Sequence, residues 1–66
     1  MEFKIRLKEL RLERSISQIE VAKIVNMSKM AISHWESGHS EPSIEQLKLL
    51  AHFFDVTIDY LTGFSE

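Results

Sequence analysis

The sequence contains no cysteine, a single proline and only two glycines among its 66 residues. Without cysteine, neither a disulfide nor a cysteine-ligated zinc ion can hold the fold together. No apolar run approaches the roughly 18 residues of a membrane-spanning helix, and the N-terminal residues lack the apolar core of a signal peptide. These absences predict a cytoplasmic protein with no membrane partner, whose fold depends on side-chain packing alone.

The chain also lacks a strong charge of either sign, since its formal net charge is −2. That value counts against binding nucleic acid through charge alone. The charges are unevenly placed, however: residues 1–39 carry seven Lys or Arg and five Glu, whereas residues 40–66 carry one Lys and five acidic residues. We therefore expect weak non-specific affinity for nucleic acid, with backbone amides and neutral side chains making much of the contact to phosphate.

Apolar residues recur with the 3.6-residue period of a helix, and no stretch alternates with the two-residue period of a strand. Because 44% of the residues are apolar, a chain of this length can bury one small core. The sequence therefore predicts an all-α fold, a compact five-helix domain that covers residues 1–66. The helices and their caps are expected at about 2–14, 17–26, 28–37, 43–54 and 57–62.

Polar residues mark where several of these helices begin. Ser17 with Glu20, and Ser43 with Gln46, have the spacing of a capping box, in which each side chain bonds the backbone amide of the other residue. Thr57 is expected to cap the last helix. The inward stripe of the fourth helix is expected to consist of Ile44, Leu47, Leu50, Ala51 and Phe54.

The stretch 18–37 is predicted to form two short helices joined by a tight bend at Asn26, a residue type that tolerates a left-handed backbone. The apolar faces of the two helices should meet across the bend and consist of Val21, Ala22, Val25, Ile32 and Trp35. The outer face of the second helix then stays free and consists of Met30, Ser33, His34 and Ser37, with Lys29 at its flank. A helix presented in this way can enter the major groove of DNA.

This arrangement resembles the DNA-binding domain of the lambdoid phage repressors and Cro proteins, the XRE-type helix-turn-helix family. The resemblance covers residues 3–62 and rests on Leu10-Arg11, Ser17-Gln18-x-Glu20-x-Ala22, Ser28-x-x-x-Ile32-Ser33-x-Trp35-Glu36-x-Gly38, Pro42-Ser43, Leu50-Ala51, Val56 and Leu61. The sequence departs from the family at Ser15, Asn26 and Asp55, where the family often has glycine. We therefore expect turns at these three positions that survive with some backbone strain.

The resemblance implies sequence-specific binding of double-stranded DNA by a transcriptional regulator, a repressor that occupies an operator without a cofactor. The implied base-reading positions are Lys29, Met30 and His34, to which Ser33 adds a hydroxyl that can donate or accept at a base edge. The implied phosphate contacts are Gln18, Ser28, Ser37, His39 and Ser40. The resemblance also implies that Gln18 braces the recognition helix, and that Arg11 and Glu36 form a partly buried ion pair.

Other functions find less support in the sequence. The three histidines have no pair spaced three or four apart on one helix, so we predict no metal site. There is no glycine-rich phosphate loop, no nucleophile elbow and no evident pair of catalytic carboxylates, so we predict no enzyme activity. The competing hypothesis is a protein–protein interaction module with the same fold, which the acidic net charge would favour.

A homodimer is expected because a module of this size seldom binds DNA tightly by itself. The candidate interface consists of Leu49, Phe53, Ile58 and Phe64. The alternative is a loose surface cluster, or packing of the C-terminal residues onto the body of the domain. The sequence suits a complete small regulator and the N-terminal part of a longer one equally well.

Histidines on the predicted DNA face suggest a dependence on pH. His34 and His39 would gain charge beside phosphates as the pH falls, because histidine titrates close to neutral pH. Binding should then strengthen from about pH 8 to about pH 6.

Overall fold

The computed structural model describes residues 2–64, and in that part of the chain it contains five helices and no strand. In chain order they are α1 (Phe3–Glu13), α2 (Gln18–Val25), α3 (Lys29–Ser37), α4 (Ile44–Phe54) and α5 (Ile58–Thr62). The predicted all-α fold is confirmed, and the predicted helix bounds agree with these to within the capping residues. None of the described helices has the length and apolar character to cross a membrane.

Side-chain caps start four of the described helices. The hydroxyls of Ser17, Ser28, Ser43 and Thr57 each accept a hydrogen bond from the backbone amide three residues further on. Both predicted capping boxes are present, since the Ser17 amide donates to Glu20 at 3.2 Å and the Ser43 amide donates to Gln46 at 2.8 Å. These contacts lie within four residues of sequence, so they fix where the helices begin independently of the rest of the fold.

The turns that end three of the helices use a left-handed residue other than glycine. Ser15, Asn26 and Asp55 have φ angles of 56°, 57° and 56°. The reversal lets the next amide bond back into the helix, as in the 2.9 Å hydrogen bond from the Met27 amide to the Ala22 carbonyl. The left-handed conformation was expected at Asn26, and turns with some backbone strain were expected at Ser15 and Asp55. A positive φ costs these residues strain that glycine would not incur.

Ser15→Gly is expected to raise the free energy of unfolding by about 1 kcal/mol, because glycine adopts a positive φ without the clash of a Cβ atom. Urea denaturation of the parent and the variant measures the change. Ser15→Ala is the matched control and should change stability by less than about 0.5 kcal/mol, since alanine keeps the Cβ atom and the strain that it causes at a positive φ. Equal stability of the glycine and alanine variants would contradict the expectation.

The described helices surround one core. α3 lies against α1 and α2, α2 also contacts α4, and α5 closes against α1 and α4. The rings of Phe3 and Trp35 pack edge to face, and their centroids are 6.1 Å apart. The buried side chains are Phe3, Leu7, Leu10, Val21, Ala22, Val25, Ile32, Trp35, Leu47, Leu50, Ala51, Phe54 and Leu61. α3 is therefore held on two sides by packing, which leaves one face outward.

One predicted core residue is not in the core. Ile44 was expected to face inward, but 62% of its surface is exposed. It is the first residue of α4, and the buried stripe of that helix begins only at Leu47. The helical period placed Ile44 on the correct side of the helix, but it stands beyond the part of α4 that the neighbouring helices cover.

The ends of α1 and α4 are tied together by Arg14. Its guanidinium donates to the Phe53 carbonyl at 2.9 Å and lies 5.3 Å and 5.4 Å from the ring centroids of Phe53 and Phe54. The carbonyl belongs to the last turn of α4, where a cation also meets the negative end of the helix dipole. Phe53 is consequently half-buried within the monomer.

Candidate nucleic-acid interface

The pair α2–α3 forms a helix-turn-helix around the left-handed Asn26. Val21, Ala22 and Val25 are buried on α2, and Ile32 and Trp35 are buried on α3 with exposures of 0% and 3%. The predicted meeting of these apolar faces is therefore observed. Because Trp35 is enclosed, it serves as core and leaves the opposite face of α3 to solvent.

That outer face carries Lys29, Met30, Ser33 and His34, which are all exposed and line one shallow depression. We call the surface formed by these four residues the recognition face. Met30 stands out with 66% of its surface exposed. The combination offers an ammonium group, an apolar thioether, a hydroxyl and an imidazole within two turns of one helix. These groups match the acceptors, donors and thymine methyl groups that line a major groove.

The starts of α2 and α3 are a second feature of the helix-turn-helix that bears on nucleic-acid binding. Gln18 is the first residue of α2, and Ser28 caps α3 by accepting from the Ala31 amide at 3.2 Å. The first turn of a helix leaves amides without an intrahelical partner, and the helix dipole adds positive potential there. The hydroxyl hydrogen of Ser28 remains able to donate outward. Both helix starts are suited to phosphate groups.

The recognition helix is braced from behind by a polar network centred on Glu36. Arg11 donates to both carboxylate oxygens of Glu36, at 2.8 Å and 3.0 Å, and to the Ile16 carbonyl at 3.2 Å. Gln18 donates to the same carboxylate at 3.1 Å. The Arg11 and Glu36 side chains are only 11% and 6% exposed. The network joins α1, α2 and α3 at one point, so that Gln18 links a helix start to the brace.

The hydrogen bond from Arg11 to Glu36 raises the pKa of Arg11 above its ordinary value, and the attraction between the two charges adds to the effect. Partial burial acts in the opposite direction, because it disfavours the charged guanidinium, but the hydrogen bond outweighs it. Arg11 therefore stays charged through the whole working range of pH. The charged Arg11 on α1 thus stays bonded to Glu36 on α3.

The turn after α3 brings together residues that the helical period keeps apart. Gly38 has a φ of 85° and folds the chain back, so that the His39 ring lies 5.7 Å from the His34 ring. The Ser37 hydroxyl lies between them in sequence and contacts both residues. Ser40 follows in an exposed loop. In residues 2–64, no three side chains of the metal-binding types gather into a group that could hold an ion.

Lys4 is a residue near this turn that the sequence pattern did not single out. Atoms of its side chain lie 3.2 Å and 3.3 Å from where a Cβ on Gly38 would stand. Its neighbour Phe3 packs on Trp35, which explains why Lys4 reaches the end of α3. The position of Lys4 beside Gly38 depends on how α1 packs against α3, and no local sequence pattern predicts that packing.

The four residues predicted to form a dimer interface are not alike in their surroundings. Leu49 and Phe64 are 47% and 85% exposed. Phe53 and Ile58 are half-buried and pack on the core of the monomer. The exposed apolar area available to a partner therefore comes mainly from Leu49 and Phe64.

The chain belongs to the helix-turn-helix family, because a sequence model of that family matches residues 7–61. The Cro and phage-repressor resemblance seen in the sequence is confirmed. The chain is 42% identical to the transcriptional activator BcrR of Enterococcus faecalis over 66 residues, which is 100% of this chain and 32% of that protein. It is 34% identical over 64 residues to the transcriptional repressor RstR of the cryptic phage CTXphi of Vibrio cholerae, covering 97% of this chain and 58% of RstR.

Two solved structures have a similar fold. A transcriptional regulator from Listeria innocua superposes with a TM-score of 0.92 and 30% identity, over 97% of this chain and 60% of that one. The P22 c2 repressor, crystallised with a synthetic operator, superposes with a TM-score of 0.84 and 34% identity, over 89% of each chain. The chain thus spans about a third of BcrR and under two thirds of RstR.

Proposed function

We propose that residues 1–66 form one DNA-binding domain of a transcriptional regulator, which reads an operator by placing α3 in the major groove. The observation that supports this best is the exposed recognition face on a helix whose other side is locked by Trp35 and the Glu36 network. A rigid support matters because base recognition requires side chains held close to the correct geometry. The similarity to a repressor crystallised with its operator adds support.

Each residue of the recognition face has a chemical role in this proposal. Lys29 donates to the acceptors of guanine, and Met30 contacts the methyl group of thymine. Ser33 and His34 donate or accept at base edges. The positions proposed to hold or support phosphate contacts are Gln18, Ser28, Ser37, His39 and Ser40. The low net charge fits a domain that obtains much of its phosphate contact from amides and hydroxyls.

The test is a titration of the purified chain with random duplex DNA at low and moderate salt, followed by genomic fragments. A regulator should bind random DNA weakly, lose that binding as salt rises, and bind one or a few fragments tightly. Selection of bound sequences from a random library would then give the operator. The absence of both salt-sensitive and tight binding would contradict the proposal.

We further propose that the domain acts without catalysis or a cofactor, in the cytoplasm where it meets its DNA. The relatives named above include an activator and a repressor, so occupying an operator is compatible with either direction of regulation. Repression by simple occupancy is the form we favour, since the chain resembles two phage repressors. A reporter gene placed behind the selected operator distinguishes the two directions.

A homodimer is part of the proposal, with Leu49 at the contact between two copies. Sedimentation should show a dimer at ~100 µM, where weak association of small domains becomes visible. Leu49→Glu should shift the chain to monomer, because a carboxylate would be buried without a partner. Leu12→Glu is the matched control, since Leu12 on α1 is 58% exposed. A parent chain that remains monomeric at that concentration would refute the dimer.

The second candidate function is a protein–protein interaction module. The acidic charge of residues 40–66 and the exposed apolar side chain of Leu49 favour it. Such a module would show neither salt-sensitive binding to random DNA nor a tight fragment. The same titration therefore separates the two functions.

A further inference from the structure

Three polar groups form a chain at the C-terminal end of α3. The Ser37 Oγ atom lies 3.1 Å from the His34 carbonyl oxygen and 2.6 Å from the Nδ1 atom of His39. The backbone supports the arrangement, since the His39 amide donates to the same His34 carbonyl at 2.9 Å across the left-handed Gly38. Ser37 and His39 are both exposed, so the chain of groups stands at the surface beside the recognition face.

The single hydrogen of the Ser37 hydroxyl determines which atom donates in each of its two contacts. A serine hydroxyl has one hydrogen, and it can donate that hydrogen to only one of its two neighbours. If the hydroxyl donates to the His34 carbonyl, the short contact must be donated by Nδ1 of His39. The two contacts are satisfied together only when Nδ1 carries a proton. The neutral ring then has a bare Nε2, which is a hydrogen-bond acceptor and does not attract phosphate.

We propose that Ser37 is a positioning residue that keeps the proton of the neutral His39 ring on Nδ1, so that His39 binds a phosphate group only after the ring gains a second proton, on Nε2. The inference rests on the proposed DNA-binding function and assigns its pH dependence to one residue. Ser37, whose hydroxyl is occupied on both sides, acts through His39 and does not itself bind phosphate. The imidazolium form keeps both contacts of Ser37 and adds an outward donor with positive charge.

Charged groups around the turn act in both directions on His39. Lys4 from α1 lies beside Gly38, and a protonated His34 ring would add a second positive charge; both oppose the extra proton. The carbonyls that end α3 favour it, as does Glu41, which lines the same cleft as Lys4 and Gly38. A DNA phosphate beside His39 would add a strong negative charge that favours the extra proton. Binding therefore takes up a proton, and the affinity rises as the pH falls.

The test measures the affinity for a selected duplex at about pH 8 and about pH 6 at constant ionic strength, by fluorescence anisotropy. The parent should bind about three- to tenfold more tightly at the lower pH, because the protonated ring donates a charge-assisted hydrogen bond to phosphate that the neutral ring cannot donate. His39→Gln should lose this dependence. Ser37→Ala should reduce it, because a neutral His39 ring with its proton on Nε2 can already donate to phosphate at about pH 8. Ser37→Thr, which keeps the hydroxyl, should retain it, and so should His34→Gln.

A second measurement does not need DNA. Nitrogen-15 NMR of the ring nitrogens should show Nδ1 of His39 protonated and Nε2 bare in the parent at about pH 8. Ser37→Ala should shift the proton to Nε2, whereas Ser37→Thr should not. Melting curves of each variant confirm that the fold is kept.

Several outcomes would overturn the inference. An Nε2 proton in the parent at about pH 8 would refute the tautomer. A Ser37→Ala variant weakened equally at both pH values would indicate direct phosphate contact by Ser37. A flat pH profile in His34→Gln would assign the dependence to His34. Failure of the parent to bind any duplex at either pH refutes the proposed function and with it the phosphate role, while the NMR result still reports the Ser37–His39 bond separately.

Discussion

Glu36→Ala is expected to lower the free energy of unfolding by about 3 kcal/mol, because it removes the partner of a partly buried guanidinium. Arg11 would keep its charge and lose two of its three hydrogen bonds, those of 2.8 Å and 3.0 Å. Gln18 would lose its 3.1 Å contact as well. For a small domain, a loss of this size is a large part of the total stability. Urea or thermal denaturation measures it.

Glu2→Ala is the control for the loss of an ion pair whose carboxylate is mostly exposed. Glu2 contacts Arg6 at 3.3 Å, and its side chain is 61% exposed. Its removal should cost at most about 1 kcal/mol, because solvent screens such a pair. If Glu36→Ala costs no more than Glu2→Ala, the Glu36 network is not what holds α1, α2 and α3 together.

Met30→Asp is expected to weaken binding to the selected operator by more than about 100-fold, since a carboxylate would face base acceptors and phosphates in the groove. The fold should be unaffected, because Met30 is 66% exposed and exposed substitutions usually change stability by under about 0.5 kcal/mol. Fluorescence anisotropy gives the affinity, and denaturation gives the stability of the same sample.

Ile44→Asp provides a matched control with the same added charge. Ile44 is 62% exposed and lies at the start of α4, outside the recognition face. Its substitution should lower affinity only slightly, through the change in net charge. Two variants with equally reduced affinity would mean that Met30 acts through overall charge alone. A Met30→Asp variant that binds as tightly as the parent would contradict the proposal that α3 enters the major groove.

Local chemistry explains why much of the fold was predictable. The capping boxes at Ser17 and Ser43 act within four residues, and so do the left-handed turns at Asn26 and Asp55. Their energies depend on neighbouring side chains and backbone, which the order of residues states directly. The buried Trp35 and exposed Met30 follow from the helical period in the same way. The resemblance to a known family added the pairing of distant residues, which no local pattern contains.

The sequence alone thus determined the five helices, their caps and turns, and which face of α3 is apolar, because these features arise from residues close together in the chain. Only the tertiary structure decided what depends on distant segments meeting: the distances in the Glu36 network, the exposure of Ile44 and the approach of Lys4 to Gly38. The Ser37–His39 contact is local in sequence, but the helical period does not predict it because it forms across the left-handed Gly38. Packing sets the first three features, since a helical period states which side of a helix a residue occupies but not which neighbour covers it, or how far that neighbour extends.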